Sequence, residues 1–302
     1  MANPVSARIV AGDRTPTHPS RCDISPRNRH FRPYVAAALA SLAAATLALS
    51  ACQAGSAAKA NDSTGDDTPS TTEQRTTLTD TLDAYVRQHP GLIASVSLRH
   101  GDTTLDYGAD TRYETASVVK VEILVRWLAT RQDETLPPKE LALAERMITE
   151  SDNEATSELC ELLAAESEPV DIPGGTGVCV DAPGWGTDET TAADQTRILT
   201  TAFEAELLTP ESHRVVEDLM SDVEPAQAWG VTAAANDGET TWLKNGWDVR
   251  DNGWLAHSEG VIDSHDGEPV YLTVLTNGND TEAEGIAHVE DLADIARDSL
   301  TP

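Results

Sequence analysis

A serine and a lysine stand three residues apart in the segment ETASVVKVEIL, residues 114–124. If this segment is helical, Ser117 and Lys120 lie on one face about 5 to 6 Å apart, so hydroxyl and amine can meet. The neighbouring valines, isoleucine and leucine exclude water, which disfavours the ammonium form and lets the neutral amine act as a base toward a hydroxyl. The pair is therefore a candidate nucleophile and base. Alternatively, the lysine stem packs on apolar neighbours while its charge reaches water.

Two later segments carry side chains that complement this pair. The tripeptide Ser151-Asp152-Asn153 lies between two predicted helices, and Lys244-Asn245-Gly246 is predicted to end a strand just before Trp247. Lysine is rare in the chain, which contains only Lys59, Lys120, Lys139 and Lys244. Two of the three lysines beyond residue 78 therefore fall in segments with candidate chemistry, and Lys139, after two prolines, is predicted to be a surface residue at a helix start.

Hydrophobic periodicity predicts the elements that position these residues. We expect helices over 78–89, 118–127, 140–148, 153–163, 191–203, 211–220 and 282–297, and strands over 92–98, 103–107, 241–243, 254–262 and 270–275. Strands near both ends with helices between them indicate an α/β (α+β) fold, with one antiparallel sheet flanked by helices. Residues 166–190, rich in glycine and proline, form a loop longer than compact domains usually tolerate without a functional reason.

The N-terminal region differs in character from the rest. Six arginines precede an uncharged apolar run over 35–51, a pattern typical of an export signal. Leu49-Ser50-Ala51-Cys52 resembles the bacterial lipobox, whose cysteine carries a lipid; an ordinary secretory signal is the alternative. We expect a lipoprotein signal peptide over 1–52, a flexible polar tether over 53–77 and a folded domain over 78–302. The protein is then exported and lipid-anchored to the outer face of the cell membrane.

Composition narrows the possible partners. The 302 residues carry a formal net charge of −30, which disfavours nucleic acid at long range. Cys160 and Cys179 are an even pair in a protein predicted to be exported, which favours a disulfide; two buried free thiols are the alternative. No spacing of cysteine and histidine is typical of a zinc site. We expect no metal, no other cofactor and a monomer.

The order S-x-x-K, S-D-N and then K-N-G resembles the motif series of the penicillin-recognising serine hydrolases, most closely the class A β-lactamase-related family. The resemblance covers nearly all of residues 78–302 and extends to the segment WGTDETT, residues 185–191, which is similar to the end of the family's Ω-loop. It implies a β-lactamase/transpeptidase-like fold in which a helical subdomain accompanies the sheet.

The resemblance also implies roles for the motif residues. Ser117 is the expected nucleophile and Lys120 the group that takes its proton. Ser151 passes a proton to the departing nitrogen, and Asn153 bonds the substrate amide. Lys244, with Asn245 and Gly246, forms the substrate-binding strand, where the lysine holds a substrate carboxylate. The backbone N–H of Ser117 is one half of the expected oxyanion hole, and the strand after the third motif supplies the other half.

Two departures from the family pattern affect these roles. Asn245 replaces the usual threonine of the third motif, although an amide can still donate a hydrogen bond to a substrate carboxylate. The Ω-loop glutamate that directs water at the acyl-enzyme has no counterpart between residues 168 and 189. Glu168, Asp171 and Asp181 are candidate replacements. Acylation is therefore better supported than deacylation.

These observations predict an exported serine hydrolase that forms an acyl-enzyme through Ser117 with a small β-lactam or a related peptidoglycan amide. A D,D-peptidase or esterase that uses the same serine is the first alternative. A penicillin-binding or sensor protein that releases its ligand slowly is the second. The missing glutamate favours slow release, whereas the complete set of serine and lysine residues favours an active site.

Overall fold

The computed structural model describes residues 70–132, 135–165, 169–180, 182–204 and 206–300, which all belong to one compact unit. The α helices are α1 Thr71–Gln88, α2 Val119–Ala129, α3 Pro138–Thr149, α4 Asn153–Ala164, α5 Ala192–Phe203, α6 Pro210–Ser221 and α7 Glu282–Asp298. The strands are β1 Ile93–His100, β2 Thr103–Tyr107, β3 Tyr113–Glu114, β4 Glu189–Thr190, β5 Thr240–Arg250, β6 Gly253–Asp263 and β7 Val270–Asn279. No helix in this described part of the chain is both long and apolar enough to cross a bilayer.

The main sheet has the strand order β2-β1-β7-β6-β5, and all neighbours are antiparallel. Strand β1 pairs with β7, which joins the start of the domain to its end, and β5 is an edge strand. A second, two-stranded sheet pairs β3 with β4, so the segment that leads to Ser117 is tied to the end of the long loop. The predicted antiparallel sheet is confirmed.

Each face of the main sheet covers a separate apolar core. One core joins buried side chains of α1 and α7 to the sheet. The other contains buried residues of α2, α3, α4, α5 and α6 together with Val261 and Tyr271 from the opposite face of the sheet. Because consecutive strand residues point to opposite faces, each position of β5 and β6 belongs to one of these two environments. The fold class, a helix-flanked antiparallel sheet with a helical subdomain, is as predicted.

Helix α1 begins earlier than the sequence pattern indicates. It starts at Thr71, inside the predicted tether 53–77, because Ser70 and Glu73 form a reciprocal capping box. The apolar residues that anchor it, Leu78 and Leu82, are fully buried and lie in its later turns. The first two turns are polar and therefore carry no hydrophobic periodicity. The predicted boundary at residue 78 is wrong for this helix, whereas residues 53–69 lie outside the described part.

Strand β5 is longer than predicted. The prediction ended it before Trp247, but pairing with β6 continues from Thr240 to Arg250. The exposed hairpin end, with polar residues on β5, lacks the apolar alternation from which the strand was recognised. The third motif therefore lies in the middle of a strand, where side-chain direction alternates strictly.

The long loop is fastened to the helical subdomain by a buried carboxylate and a disulfide. Glu122 on α2 is fully buried and accepts hydrogen bonds from Arg126 Nη2 (2.9 Å), from the backbone N–H and hydroxyl of Thr176 (2.8 and 3.0 Å) and from Gly177 N–H (3.1 Å). A disulfide joins Cys160 on α4 to Cys179 in the loop, with a Cα–Cα distance of 5.0 Å. The loop is thus held in place although it contains little regular structure.

Candidate active site

Ser117 lies in a tight 3₁₀ turn, Ala116–Val118, immediately before α2. Ala116 has a φ of 45°, in the left-handed region that is strained for a residue with a side chain. Its backbone N–H donates to Gly186 O at 3.0 Å, so the end of the long loop stabilises this turn. The half-buried Ser117 lines a cleft of about 300 Å³ together with Asn153, Trp185 and other residues. The strained turn at Ala116 thereby presents the neighbouring Ser117 to a ligand-sized space.

Lys120 is fully buried below this cleft. Its Nζ donates to Ser151 O (2.8 Å), Ser151 Oγ (3.0 Å) and Asn153 Oδ1 (2.9 Å), and lies 4.8 Å from the centre of the Trp185 ring. Burial lowers the pKa of Lys120 to about 7, although the charge of Asp152 acts in the opposite direction. Both forms of this amine are consequently well populated near neutral pH.

Ser151 connects the two lysines. Its backbone has a φ of 54°, and the following Asp152 caps α4 by accepting hydrogen bonds from the N–H groups of Glu154 and Ala155. This turn directs the Ser151 hydroxyl at both amines, since Lys120 Nζ and Lys244 Nζ each donate to it at 3.0 Å. A hydroxyl that accepts two hydrogen bonds still has its own proton to donate. The structure therefore brings together residues from three separate segments of the chain.

Lys244 is also fully buried, and its Nζ donates to Ser151 Oγ and to Asn245 O (2.9 Å). Burial lowers its pKa well below the usual value for lysine, the nearby charge of Lys120 lowers it further, and Glu259 raises it. This lysine does not line the cleft. Its hydrogen bond to Ser151 Oγ links it to the other motif residues, and its predicted contact with a substrate carboxylate stays a prediction.

Asn245 does not face the cleft, so its predicted contact with a substrate carboxylate is wrong. Its Nδ2 donates to Gln227 O (2.7 Å) and Trp229 O (3.0 Å), and the side chain is 1% exposed. The reason is the alternation of β5: because Lys244 and Gly246 point toward the helical subdomain, Asn245 must point to the other face. The amide holds the 227–229 segment against the sheet.

Gly246 is where β5 passes against the start of α2. A Cβ built at this position would lie 2.8 Å from Ser117 N and 2.9 Å from Val118 N, closer than real Cβ atoms approach such atoms. Only glycine permits this contact between the strand and the serine backbone. The third motif thus fixes the distance between β5 and the N–H of Ser117.

Of the three candidate deacylating carboxylates, Asp171 lies in the described part of the chain. Asp171 is exposed and lines a separate cavity of about 380 Å³ that Ser117 does not line, so the structure contradicts its proposed use as a base. Glu168 and Asp181 lie outside the described residues. The cleft itself contains Asp248, whose carboxylate accepts hydrogen bonds from Arg250 and from Val249 N–H.

Sequence reasoning missed several residues of the site. Trp185, Trp247 and Arg250 line the cleft, and Trp185 covers Lys120 while its indole N–H donates to Ser157 Oγ at 3.2 Å. A large aromatic residue in a loop rich in small residues was the available signal for Trp185. Arg250 lies beyond the predicted end of β5, where no pattern indicated that the strand continues.

The sequence also matches a known protein family. The family model described as "Beta-lactamase enzyme family" matches residues 138–300, more than half of the chain. The chain belongs to the β-lactamase enzyme family. The matched range contains the second and third motifs, whereas Ser117 and Lys120 precede it. The predicted resemblance is confirmed, while no match is found among curated proteins.

Solved structures show the same fold at low identity. A variant of PBP-A, solved as an acyl-enzyme complex with penicillin G, is 21% identical and covers 74% of this chain and 96% of that chain, with a TM-score of 0.55. An ancestral class A β-lactamase (GNCA) is 20% identical over 72% of this chain and 98% of its own, with a TM-score of 0.57. A β-lactamase from Desulfarculus baarsii is 17% identical over 78% and 99%, with a TM-score of 0.59. These relatives establish the fold of this member of the family.

Proposed function

We propose that this chain is a serine hydrolase that forms an acyl-enzyme through Ser117 with β-lactams or related peptidoglycan amides. The observation that carries the proposal is the Ser151 hydroxyl, which contacts the amines of both Lys120 and Lys244 beside the cleft that Ser117 lines. Such an arrangement can remove one proton from a nucleophile and deliver another to a leaving nitrogen. Family membership and the acyl-enzyme complex of a PBP-A variant with penicillin G support the same reaction.

Lys120 is suited to take the proton of Ser117. Its three acceptors match the three hydrogens of an ammonium group, and the Ser117 hydroxyl is not one of them. When the amine loses a proton, one acceptor loses its donor and a lone pair becomes available to a hydroxyl. Because the pKa of Lys120 is lowered to about 7, this neutral form is accessible at neutral pH. The amine can then activate Ser117 for attack on a carbonyl carbon.

Ser151 is suited to protonate the departing nitrogen. It accepts from two amines and retains one hydrogen, which can pass to the nitrogen of an opened amide while Lys120 or Lys244 replaces it. Asn153, whose Oδ1 accepts from Lys120, lines the cleft and can bond a substrate amide through its NH2 group. The proton taken from the nucleophile thus has a route of short hydrogen bonds to the leaving group.

The negative oxygen of the tetrahedral intermediate would bind two backbone N–H groups. The first is that of Ser117, next to Gly246. The second is that of Trp247. The carbonyl of Asn245 accepts a hydrogen bond from Lys244 Nζ, and in a strand the N–H of the residue two positions later points to the same side as that carbonyl. Since β5 is an edge strand, this N–H is outside the sheet ladder. Each donor of this kind contributes about 3 to 4 kcal/mol to the transition state.

A slowly deacylating penicillin-binding protein is the second candidate, and a specific observation favours it. The side chain that lies over Lys120 from the long loop is the indole of Trp185. In the described part of the chain, no carboxylate contacts Lys120 Nζ or is placed beside it on the loop side of the cleft. An apolar ring does not orient a hydrolytic water, so the acyl-enzyme would persist.

A fluorescent penicillin, followed by denaturing electrophoresis over time, tests the function and separates its variants. We expect label on the wild-type protein and none on Ser117→Ala, whereas Ser221→Ala, which removes a serine remote from the motifs, keeps the label. Label that persists for hours identifies a penicillin-binding protein, and transient label with ring opening identifies a β-lactamase. If the folded wild-type protein takes up no label but cleaves D,D-peptides or esters, those compounds and not β-lactams are the substrates of the site.

We further propose that the protein is exported and anchored by a lipid on Cys52, with the polar segment before α1 as its tether. The arginine-rich start, the apolar run and the lipobox-like tetrapeptide support this proposal. Labelling cells with an alkyne-modified fatty acid tests it: the wild-type protein should incorporate the probe and sediment with membranes, whereas Cys52→Ala should do neither. A soluble, unlabelled wild-type protein would contradict the proposal.

A further inference from the structure

A row of buried polar side chains crosses the main sheet from the active site. Lys244 on β5 pairs directly with Glu259 on β6, which pairs with Thr273 on β7, which pairs with Ser97 on β1. All four side chains are 0–1% exposed. Directly paired residues point to the same face with Cβ atoms about 4.5 to 5.5 Å apart. Glu259 therefore lies beside Lys244 on the face that meets the helical subdomain.

The buried carboxyl group of Glu259 lacks hydrogen bonds that would stabilise its charge. Neither of its oxygens has a hydrogen-bond partner among the residues that the structure describes. A buried carboxylate without hydrogen bonds is costly unless an opposite charge is close. The charged groups that act on the pair are Lys120 and Glu122, both on α2, and Glu122 is itself bonded to Arg126. Lys244 is the one cation among them that acts directly on Glu259.

The electrostatic directions follow from this placement. Burial lowers the pKa of Lys244, the like charge of Lys120 lowers it further, and Glu259 opposes both effects. Burial raises the pKa of Glu259, the charge of Lys244 lowers it, and Glu122 raises it. Burial has the largest effect on both groups, so the pKa of Lys244 lies well below and that of Glu259 well above the usual value, while the charge of each group opposes the shift in the other. Without Glu259, burial and Lys120 would act on Lys244 unopposed.

We propose that Glu259, the cross-strand neighbour of Lys244, is a positioning residue of the hydrolase site: its buried carboxylate favours the protonated form of Lys244 and so favours donation of the Lys244 N–H to the Ser151 hydroxyl. The inference rests on the proposed function for its catalytic meaning. A protonated Lys244 donates to Ser151 and leaves the Ser151 proton free for a leaving nitrogen, whereas a neutral Lys244 can accept that proton and withdraw it from the reaction.

The scarcity of lysine makes the proposal directly measurable. A protein labelled with ¹³C at the lysine ε-carbon has only four such signals, from Lys59, Lys120, Lys139 and Lys244. Single Lys→Met variants assign the signals, and a pH titration of each chemical shift reports its protonation. We expect Glu259→Gln to move the titration of Lys244 to lower pH by about 1 to 3 units, the effect of losing an opposite charge at short range. The isosteric control Thr273→Val, which removes a polar group from the same row without changing charge, should not move it.

An unchanged titration of Lys244 in folded Glu259→Gln, or an equal shift in Thr273→Val, would overturn the inference. If Glu259→Gln does not fold, the same titration is measured in Glu259→Asp. The shorter side chain moves the carboxylate away from Lys244 by one methylene, so the titration of Lys244 should shift in the same direction by a smaller amount. The rate at which Ser117 is labelled gives the second readout. This rate should fall at alkaline pH when Lys244 loses its proton, and in Glu259→Gln the fall should begin at a lower pH than in the wild type. A folded wild-type protein that is never labelled and is inactive on D,D-peptides and esters would refute the proposed function, while the titration still decides the role of Glu259.

Discussion

The rate at which Ser117 is acylated should follow the titration of Lys120. Burial lowers the pKa of this lysine from 10.5 to about 7, and the neutral amine is the form that can take the serine proton. With a pKa of about 7, the neutral fraction is about 3% at pH 5.5 and about 97% at pH 8.5, so the rate should rise about 30-fold and then level off. A lysine with an ordinary pKa would instead give a rise of about 1000-fold without a plateau.

Rapid-quench measurements with a fluorescent penicillin, at constant ionic strength and under single-turnover conditions, provide this profile. Circular dichroism at each pH shows that the fold persists. Asp152→Asn is the matched variant: the amide still caps α4 but lacks the charge that raises the pKa of Lys120, so the midpoint should move to lower pH. A flat profile, a continuous tenfold rise per pH unit, or a shift of the Asp152→Asn midpoint to higher pH would refute the assignment of Lys120 as the base.

Three further substitutions test other parts of the structure. Gly246→Ala places a Cβ 2.8 Å from a backbone nitrogen, and acylation should slow about 100-fold or more, whereas Gly184→Ala, where a Cβ meets open space, should leave the rate unchanged. Asn245→Thr removes two buried hydrogen bonds; urea denaturation should show a loss of about 2 to 4 kcal/mol, and tighter penicillin binding would contradict its structural role. Burial lowers the pKa of His257 to about 4, so the unfolded chain binds a proton that the native state does not between pH 6.5 and 4. The free energy of unfolding should therefore fall by about 3 kcal/mol across that range, and His257→Gln should lack this component; equal pH dependence in both proteins would contradict it.

The sequence predicted the arrangement of elements because most of them bury a regular apolar stripe. Helix α4, for example, was predicted over 153–163 and is found over Asn153–Ala164, with Leu159 and Cys160 fully buried. The beginning of α1 and the end of β5 were missed because polar residues form them. A capping box fixes the first, and pairing with β6 fixes the second. Neither cause is expressed as hydrophobic periodicity.

At the site, motif spacing identified Ser117, Lys120, Ser151 and Lys244, which the structure brings to one cleft and its floor. The direction of Asn245 was open to inference, since neighbouring strand residues point to opposite faces of the sheet and Lys244 points toward the helical subdomain. The Trp185 ring over Lys120 was not predictable, because its place depends on how the whole loop is fastened. Glu259 did leave a signal: one acid in the predicted strand 254–262, opposite a motif lysine once the register is known.

Peptide mapping by mass spectrometry after incubation with penicillin G shows which side chain becomes acylated. We expect the peptide that contains Ser117 to gain the mass of one intact penicillin molecule, and we expect Lys120→Met at pH 7 to gain it far more slowly. An adduct on another residue, or equal modification of folded wild-type and Lys120→Met proteins, would contradict the claim that these two side chains act together.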